Sequence, residues 1–166
     1  MTLNVISFNI LCVDHPVGGT VPERACRVRK VIGPLAPDLI GFQEATPQWL
    51  ELLERDYGSD YGIYNVYRSA ASPESTPIAW KKDKFLCLDK GSLWYSDTPE
   101  VESPGWDALY KCPRILTWAK LRELASGREF CFVNTHFGFG DDCQTKSVGI
   151  LEDFAQKMGG SLCDHR

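Results

Sequence analysis

The stretch Pro37–Glu44, which reads PDLIGFQE, carries the strongest fold signal in the chain. Within it, Asp38–Glu44 is a short, mostly apolar run and predicts a buried strand. Thr46 and Pro47 follow almost at once and predict a helix start, because Thr is a good N-cap and Pro suits the first helical turn. The helix is predicted to end near Gly58. A buried strand that leads directly into a helix is typical of a layered α/β protein.

The segments before this unit repeat its order of strand and helix. Leu3–Leu11 is almost continuously apolar and predicts a strand covered on both faces. Pro22 and Glu23 open an amphipathic helix, which Pro34 must kink or end. The first third of the chain is therefore predicted to run β-α-β-α.

The remaining segments predict further strands and one final helix. Asp141 or Asp142 caps that helix, and Gly159 with Gly160 ends it. A long loop, Ser96–Pro113, lies among the strands, and loops of this length are usually functional or mobile. The predicted strands are Gly62–Arg68, Pro77–Trp80, Arg114–Leu121 and Glu129–His136. The residues predicted to face inward from the last helix are Val148, Leu151, Phe154, Ala155 and Met158.

This order of elements predicts a layered α/β sandwich. No linker divides the 166 residues, so residues 1–166 are predicted to form a single domain. No apolar run approaches the roughly 18 residues that a membrane span requires. The start of the chain has no basic leader and does not resemble a secretory signal.

The charge balance excludes one class of function. Lys and Arg number 18 against 22 Asp and Glu, a net charge of −4, which argues against binding nucleic acid through a broad basic surface. An enzyme that binds a single phosphate through a metal ion is still compatible with this charge, because the ion supplies the positive charge.

The cysteines indicate a reducing environment. There are seven, an odd number, and no pair has CxxC spacing. Cys12, Cys87 and Cys131 lie in apolar runs, where a free thiol behaves as a small hydrophobe. We therefore interpret them as reduced core residues of a cytoplasmic protein.

Polar residues interrupt or end the predicted strands. Asn9 lies within Leu3–Leu11, and Glu44 ends the strand that opened this section. Asn134 and His136 share one face at a third strand end, since side chains two apart point the same way. Ligands and catalytic groups of α/β sheets gather at strand ends, so these positions predict a site.

Each of these residues also has a purely structural interpretation. Asn9 alone fits a hydrogen-bonded core amide, and Glu44 fits a carboxylate favoured by the dipole of the following helix. His136 fits a structural histidine. Arg114 fits a surface ion pair, and Glu74 fits an exposed loop residue.

Taken in order, the motifs resemble one family, the endonuclease/exonuclease/phosphatase superfamily with its deoxyribonuclease I-like fold. The resemblance extends over nearly the whole chain and is closest to a bacterial and fungal branch of unsettled substrate. The matching segments are SFN at Ser7–Asn9, PDLIGFQE at Pro37–Glu44, ESTPIAWKKDKF at Glu74–Phe85, LWYSDTPEV at Leu93–Val101, PRILTWAKL at Pro113–Leu121 and NTH at Asn134–His136.

The resemblance implies a metal site. Glu44 would be a ligand of Mg²⁺, with Mn²⁺ as a substitute, because Mg²⁺ takes one or two protein carboxylates and keeps its other positions for water and phosphate. Asn9 would hold a water of that ion or a phosphate oxygen, and so serve both the metal and the catalysis.

The resemblance also assigns the other site residues. Glu74 would accept a hydrogen bond from His136, fix its tautomer and raise its pKa, so that His136 can donate a proton or bind phosphate. Arg114 would contact the scissile phosphate with its planar fork. Asn134 would support the end of the strand that carries His136 and contribute to phosphate binding.

The implied reaction is the in-line attack of an activated water on a phosphate ester, with the metal stabilising the leaving oxygen. The substrate class remains open between nucleic acid and a small phosphorylated molecule.

The family pattern is incomplete in this sequence. It continues with Gly-Asp-x-Asn and ends with an Asp-His dyad, and a whole sandwich of this type needs roughly 250 residues. We therefore expect residues 1–166 to be the N-terminal portion, roughly two thirds of the fold, with weak activity. The terminal Asp164–Arg166 is interpreted as the product of a frameshift or early stop rather than as the dyad.

Two alternatives to an enzyme follow. The chain is also compatible with a non-catalytic remnant or interaction module that keeps the scaffold, and an uncovered sheet face would favour self-association. A zinc or redox protein that uses the cysteines is the third possibility, although no pair has ligand spacing.

Overall fold

The computed structural model describes residues 2–159. The terminal Asp164–Arg166 and the predicted helix end at Gly160 lie outside the described residues. The strands are β1 (Val5–Asn9), β2 (Leu39–Gln43), β3 (Tyr61–Tyr64), β4 (Ile78–Lys81), β5 (Phe85–Trp94), β6 (Ile115–Glu123) and β7 (Glu129–Thr135). The helices are α1 (Val21–Leu35), α2 (Pro47–Tyr57) and α3 (Asp141–Gly159).

The strands form two sheets, which confirms the predicted layered α/β sandwich. The first has the order β1-β2-β4-β3 and the second the order β5-β6-β7. β1 and β2 run parallel, so both end at the same edge of the sheet. The other pairs are antiparallel.

The strand β2 lies at the centre of the packing, because each of its faces contacts a different layer. Ile40 and Phe42 pack against α1 and α2 in one hydrophobic core. Leu39, on the opposite face, packs against the second sheet in the other core, where Phe85 and Leu121 lie. All five residues of β2 are buried, as its apolar sequence predicted.

The two helices after β1 and β2 begin where the sequence predicted. Thr20 caps α1, accepting a hydrogen bond from the Glu23 backbone amide while the Glu23 carboxylate accepts from the Thr20 amide. This reciprocal capping box satisfies two of the orphan donors at a helix start. Pro34 lies in the last turn of α1, and Ala36 ends it in the left-handed conformation.

Three predictions about the elements were wrong. β1 is not covered on both faces: it lies at the sheet edge, and Val5 is 50% exposed. The longest strand of the second sheet, Phe85–Trp94, was missed because most of its residues are exposed or half-buried, so its apolar signal is weak. α3 buries Cys143 and Phe154, whereas Val148 is exposed.

The cysteines are less buried than their apolar neighbours suggested. Of the six described cysteines, Cys143 alone is buried, and Cys12, Cys87 and Cys131 are half-buried. Cys87 packs at the margin of the second core, so its predicted position is confirmed in part, whereas Cys12 and Cys131 belong to neither described core and their prediction is wrong.

None of the described helices combines the length and the apolar character that a membrane crossing requires.

Candidate active site

A cleft of about 600 Å³ opens where the strands of both sheets end. The segments after β1 and β2, the loops before β4 and β6, and the segment after β7 all contribute to it. Its lining residues are Leu11, Cys12, Glu44, Arg68, Ser72, Glu74, Tyr110, Cys112, Arg114, His136 and Phe139. The structure therefore brings four of the sequence-predicted site residues, Glu44, Glu74, Arg114 and His136, into one hollow.

Two of the strand ends have an unusual backbone conformation. Leu11, just past β1, has φ of 61°, and Glu44, just past β2, has φ of 65°. Left-handed conformations are uncommon for residues other than glycine and cluster at functional sites. At Glu44 this turn directs the side chain into the cleft instead of along the sheet.

Glu44 is an ionised carboxylate held by two hydrogen bonds. Its Oε1 accepts from Asn9 Nδ2 at 2.8 Å, and its Oε2 accepts from the Cys12 backbone amide at 3.1 Å. Burial alone would raise the pKa of Glu44, but these bonds outweigh it and hold that pKa below its usual value. Asn9 is exposed and touches the site through this bond to Glu44.

Glu44, held by Asn9 and by the Cys12 amide, fits a site for one divalent cation. Each oxygen of Glu44 accepts a single hydrogen bond and keeps lone pairs for an ion. Residues 2–159 contain no group of three or more His, Cys, Asp and Glu side chains arranged as a metal cage. Mg²⁺ does not need such a cage, because one or two carboxylates and several waters complete its shell.

Glu74 lies between two arginines at the other wall of the cleft. Its Oε1 accepts from Arg68 at 2.7 Å and lies 4.0 Å from Arg114. Burial raises the pKa of Glu74 above its usual value, against the opposing effect of Arg68. The predicted hydrogen bond from His136 is wrong, because the separation of 3.9 Å exceeds hydrogen-bonding range.

His136 is instead paired with an arginine. Arg114 Nη1 lies 3.3 Å from His136 Nδ1, and since Arg can only donate, Nδ1 is the acceptor and Nε2 carries the proton. Burial, and after it the charge of Arg114, lower the pKa of His136. The predicted rise of this pKa is therefore wrong, because an arginine occupies the place foreseen for a carboxylate.

Arg114 is itself positioned by a carboxylate that the sequence interpretation missed. Arg114 Nε donates to Asp107 Oδ2 at 2.8 Å, and the side chains are 5% and 0% exposed. Asp107 Oδ1 also accepts from the backbone amides of Leu109 and Tyr110. One buried carboxylate therefore fixes the loop and the arginine together.

Asn134 does not reach the cleft. It is buried between the sheets, where its Nδ2 donates to the carbonyls of Phe42 and Pro77 and its Oδ1 accepts from Gln43. Its amide is thus occupied, and the predicted contact with phosphate is replaced by a bridge between β2, β4 and β7. A Cβ on Gly41 would lie 2.6 Å from Asn134 Oδ1, which explains the glycine within β2.

Sequence reasoning also missed Arg68, Cys12, Tyr110 and Phe139. Cys12 is not a reactive thiolate, because burial and the nearby Glu44 raise its pKa to about 11. None of the four has a local pattern that marks it, apart from the position of Cys12 just past the first strand.

The fold is an α/β sandwich of two sheets with a cleft at the strand ends, and solved structures share it. An endonuclease/exonuclease/phosphatase from Bacteroides vulgatus is similar with a TM-score of 0.85 at 30% identity, covering 95% of this chain and 61% of that one. The mannosyl-6-phosphatase Bt3783 of Bacteroides thetaiotaomicron is similar with a TM-score of 0.83 at 27% identity, covering 95% and 60%. The chain therefore shares its fold with endonuclease/exonuclease/phosphatase proteins, of which it spans about three fifths.

Less similar proteins share the same fold. TDP2 from D. rerio, in complex with a single-stranded DNA product, is similar with a TM-score of 0.68 at 18% identity, covering 95% of this chain and 54% of that one. An uncharacterized protein, L388, of Acanthamoeba polyphaga mimivirus is 30% identical over 132 residues, 74% of this chain and 48% of that protein. No family model matches the sequence. The chain spans between about half and three fifths of the length of these relatives.

Proposed function

We propose that this chain carries the metal- and phosphate-binding half of a divalent-metal-dependent phosphoesterase. The observation that carries the proposal is the cleft, in which an ionised carboxylate, Glu44, faces two guanidinium groups and a neutral histidine. A carboxylate suits a hard cation, and planar guanidinium forks suit phosphate. The similar protein Bt3783 of Bacteroides thetaiotaomicron is a mannosyl-6-phosphatase, which supports the same class of reaction.

Different side chains bind the cation and the phosphoryl oxygens of the substrate. Glu44, oriented by Asn9, would hold Mg²⁺ or Mn²⁺, which supplies positive charge to the phosphoryl oxygens and the leaving oxygen. Arg114 binds a phosphoryl oxygen, and the Nε2–H of neutral His136 donates a hydrogen bond to another. Glu74 holds the arginines in place, because its Oε1 lies between them.

The resemblance assigns activation of the water to a terminal Asp-His dyad and a Gly-Asp-x-Asn motif. Residues 2–159 contain no Gly-Asp-x-Asn, and their one Asp-His pair, Asp14-His15, lies between β1 and α1. We therefore propose that this chain alone binds metal and phosphate but turns over a phosphodiester reporter far more slowly than a full-length relative. The cytoplasmic location inferred from the cysteines stays a prediction.

Calorimetric titration with Mg²⁺ and Mn²⁺ tests the metal site. Glu44→Ala should abolish the binding that the wild type shows, while Glu51→Ala, an exposed carboxylate on α2, should leave it intact. Equal binding by both variants would refute the role of Glu44.

The second candidate is a non-catalytic interaction module. The exposed edge of β1, with its half-exposed Val5, favours it, because an unpaired edge strand is a template for another chain. Absence of metal binding in both the wild type and Glu44→Ala would favour this candidate. Activity on plasmid DNA, oligo(A), sphingomyelin or an inositol phosphate would exclude it.

A further inference from the structure

Arg68 is a second arginine, besides Arg114, that lines the cleft. Its Nε and Nη2 donate to Ser72 Oγ at 3.2 and 2.7 Å, and its Nη1 donates to Glu74. The side chain is only 12% exposed, and it lies in the same lining as Arg114. Two guanidinium groups therefore flank the single carboxylate of Glu74.

Both arginines keep donors for a ligand. Each guanidinium has five N–H groups. Arg114 uses Nε for Asp107 and Nη1 for His136, and within residues 2–159 its Nη2 makes no hydrogen bond. Glu74 and Asp107 offset the two positive charges, so the arginines would hold a ligand through their unused N–H groups, and a cation at Glu44 would supply the positive charge.

A phosphate monoester has three non-bridging oxygens, and the cleft lining offers three groups that could each bind one of them. They are a cation at Glu44, the Arg68 guanidinium, and Arg114 with His136, the two arginines lying on either side of Glu74. A phosphodiester has only two such oxygens and one negative charge, so it would leave one of these groups without a partner. An unpaired buried donor costs free energy.

An aromatic pair lies at the mouth of the same cleft. The rings of Tyr110 and Phe139 meet edge to face, with centroids 5.5 Å apart, and remain 63% and 46% exposed. The two loops that carry them are joined by a hydrogen bond from the Ala108 amide to the Phe139 carbonyl at 3.0 Å. This aromatic platform is held in place yet open to solvent, which is typical of a ligand-binding surface.

We propose that the cleft selects a small, dianionic phosphate monoester whose leaving group presents a flat face to the aromatic platform of Tyr110 and Phe139. Arg68 is the residue that selects a monoester over a diester. The net charge of −4 disfavours a long polyanion, because binding a nucleic acid strand requires many cationic contacts. This inference rests on the proposed function and specifies its substrate class.

The test is a binding measurement that does not depend on turnover. Calorimetry in the presence of Mg²⁺ compares phenyl phosphate, methyl phosphate and diphenyl phosphate. We expect phenyl phosphate to bind about three- to tenfold more tightly than methyl phosphate, from aromatic stacking. We expect it to bind about tenfold or more tightly than diphenyl phosphate, from the additional charge-assisted hydrogen bonds.

Variants assign each preference to its residue. Arg68→Met should remove the preference for the monoester over the diester, and Arg68→Lys should restore it only in part, because an ammonium group lacks the planar fork. Tyr110→Leu should remove the preference for phenyl over methyl phosphate, whereas Tyr110→Phe should keep it. Arg55→Met, on the exposed side of α2, is the control and should change neither ratio.

The outcomes separate this inference from the proposed function. Binding of Mg²⁺ and inorganic phosphate without any preference among the three esters overturns the inference alone. Tighter binding of a single-stranded oligonucleotide than of phenyl phosphate, lost in Arg68→Met, overturns it in favour of nucleic acid. Absence of binding by Mg²⁺ and every phosphate compound overturns both proposals.

Discussion

The chemistry of the cleft depends on which charged group lies beside each site residue. His136 is neutral because it is buried against Arg114 instead of a carboxylate. Glu44 is ionised because two donors meet its oxygens. These two protonation states suit a site in which the cation is held by Glu44 and His136 acts as a hydrogen-bond donor.

The pairing with Arg114 predicts a shift in the titration of His136. In the wild type the pKa of His136 should lie below the ordinary 6.5, and Arg114→Gln should raise it, because the second cause of its depression is removed. Heteronuclear NMR of the histidine Cε1–H groups measures both midpoints. An unchanged midpoint for His136 in Arg114→Gln would contradict the pairing.

The same depression predicts how stability depends on pH. Because the folded pKa of His136 lies below its unfolded value, the unfolded chain binds the proton more readily, and stability is lost as the pH falls through 6.5 toward the folded pKa. His136→Gln should show a shallower fall in the free energy of unfolding over this window. Urea denaturation at several pH values, compared between the two proteins, measures the difference.

The amide of Asn134 predicts a stability effect without a direct effect on the site. Asn134→Ala removes three buried hydrogen bonds, to the Phe42 and Pro77 carbonyls and from the Gln43 amide, at a cost of about 1–3 kcal/mol in the free energy of unfolding. Denaturant unfolding measures this cost, and Gln48→Ala, at an exposed position on α2, serves as the control. A loss below about 0.5 kcal/mol would show that the bridge contributes little.

At the scale of elements, the loop between β5 and β6 is the part whose role changes most between sequence and structure. Its length alone predicted a functional or mobile segment. Asp107 ties it to Arg114 and to its own backbone, so it forms an ordered wall of the cleft. Local order here comes from one buried ion pair instead of a helix or strand.

The ion pair predicts a strong effect of one substitution in this loop. Asp107→Ala removes the carboxylate bonded to the buried guanidinium of Arg114 and leaves it only the more distant Glu74, 4.0 Å away, which should cost about 3–5 kcal/mol of stability. It should also increase amide hydrogen exchange from Ala108 to Lys111. Asp97 is an exposed carboxylate at the start of the same loop. Asp97→Ala should change the free energy of unfolding by less than about 0.5 kcal/mol and leave the amide exchange of the loop unchanged.

At the scale of the whole molecule, the described residues leave strand edges without partners. β1 and β7 each have one described neighbour in their sheets, and Val5 on β1 is half-exposed. An unpaired edge with apolar side chains favours pairing with a second chain. We therefore predict that this strand edge pairs with a second copy of the chain.

We expect this strand edge to cause concentration-dependent self-association. Light scattering after size-exclusion chromatography should show a mass above 18.7 kDa that rises with concentration. Val5→Glu should reduce it, and Val17→Glu, at a 93% exposed position away from the strand edges, should not. A monomer at all concentrations would refute the expectation.

Local sequence patterns specified the elements and the positions of their polar ends. The apolar run of β2, the Thr-Pro start of α2 and the capping box of α1 act through neighbouring residues, so they are legible along the chain. The strand β5 was not predicted from the sequence, because its apolar and polar residues do not alternate clearly enough to indicate a strand. Glu44 and His136 were found because strand ends are defined by sequence.

The partners of those side chains depend on the folded arrangement. Arg68 meets Glu74, Asp107 meets Arg114, and Asn134 spans the sheets instead of reaching the cleft. These contacts join segments up to 92 residues apart, and their distances follow from how the two sheets pack. Because the protonation state of an ionisable group depends on its burial and nearby charges, the lowered pKa of His136 follows from tertiary structure, while its place at the end of a strand follows from sequence.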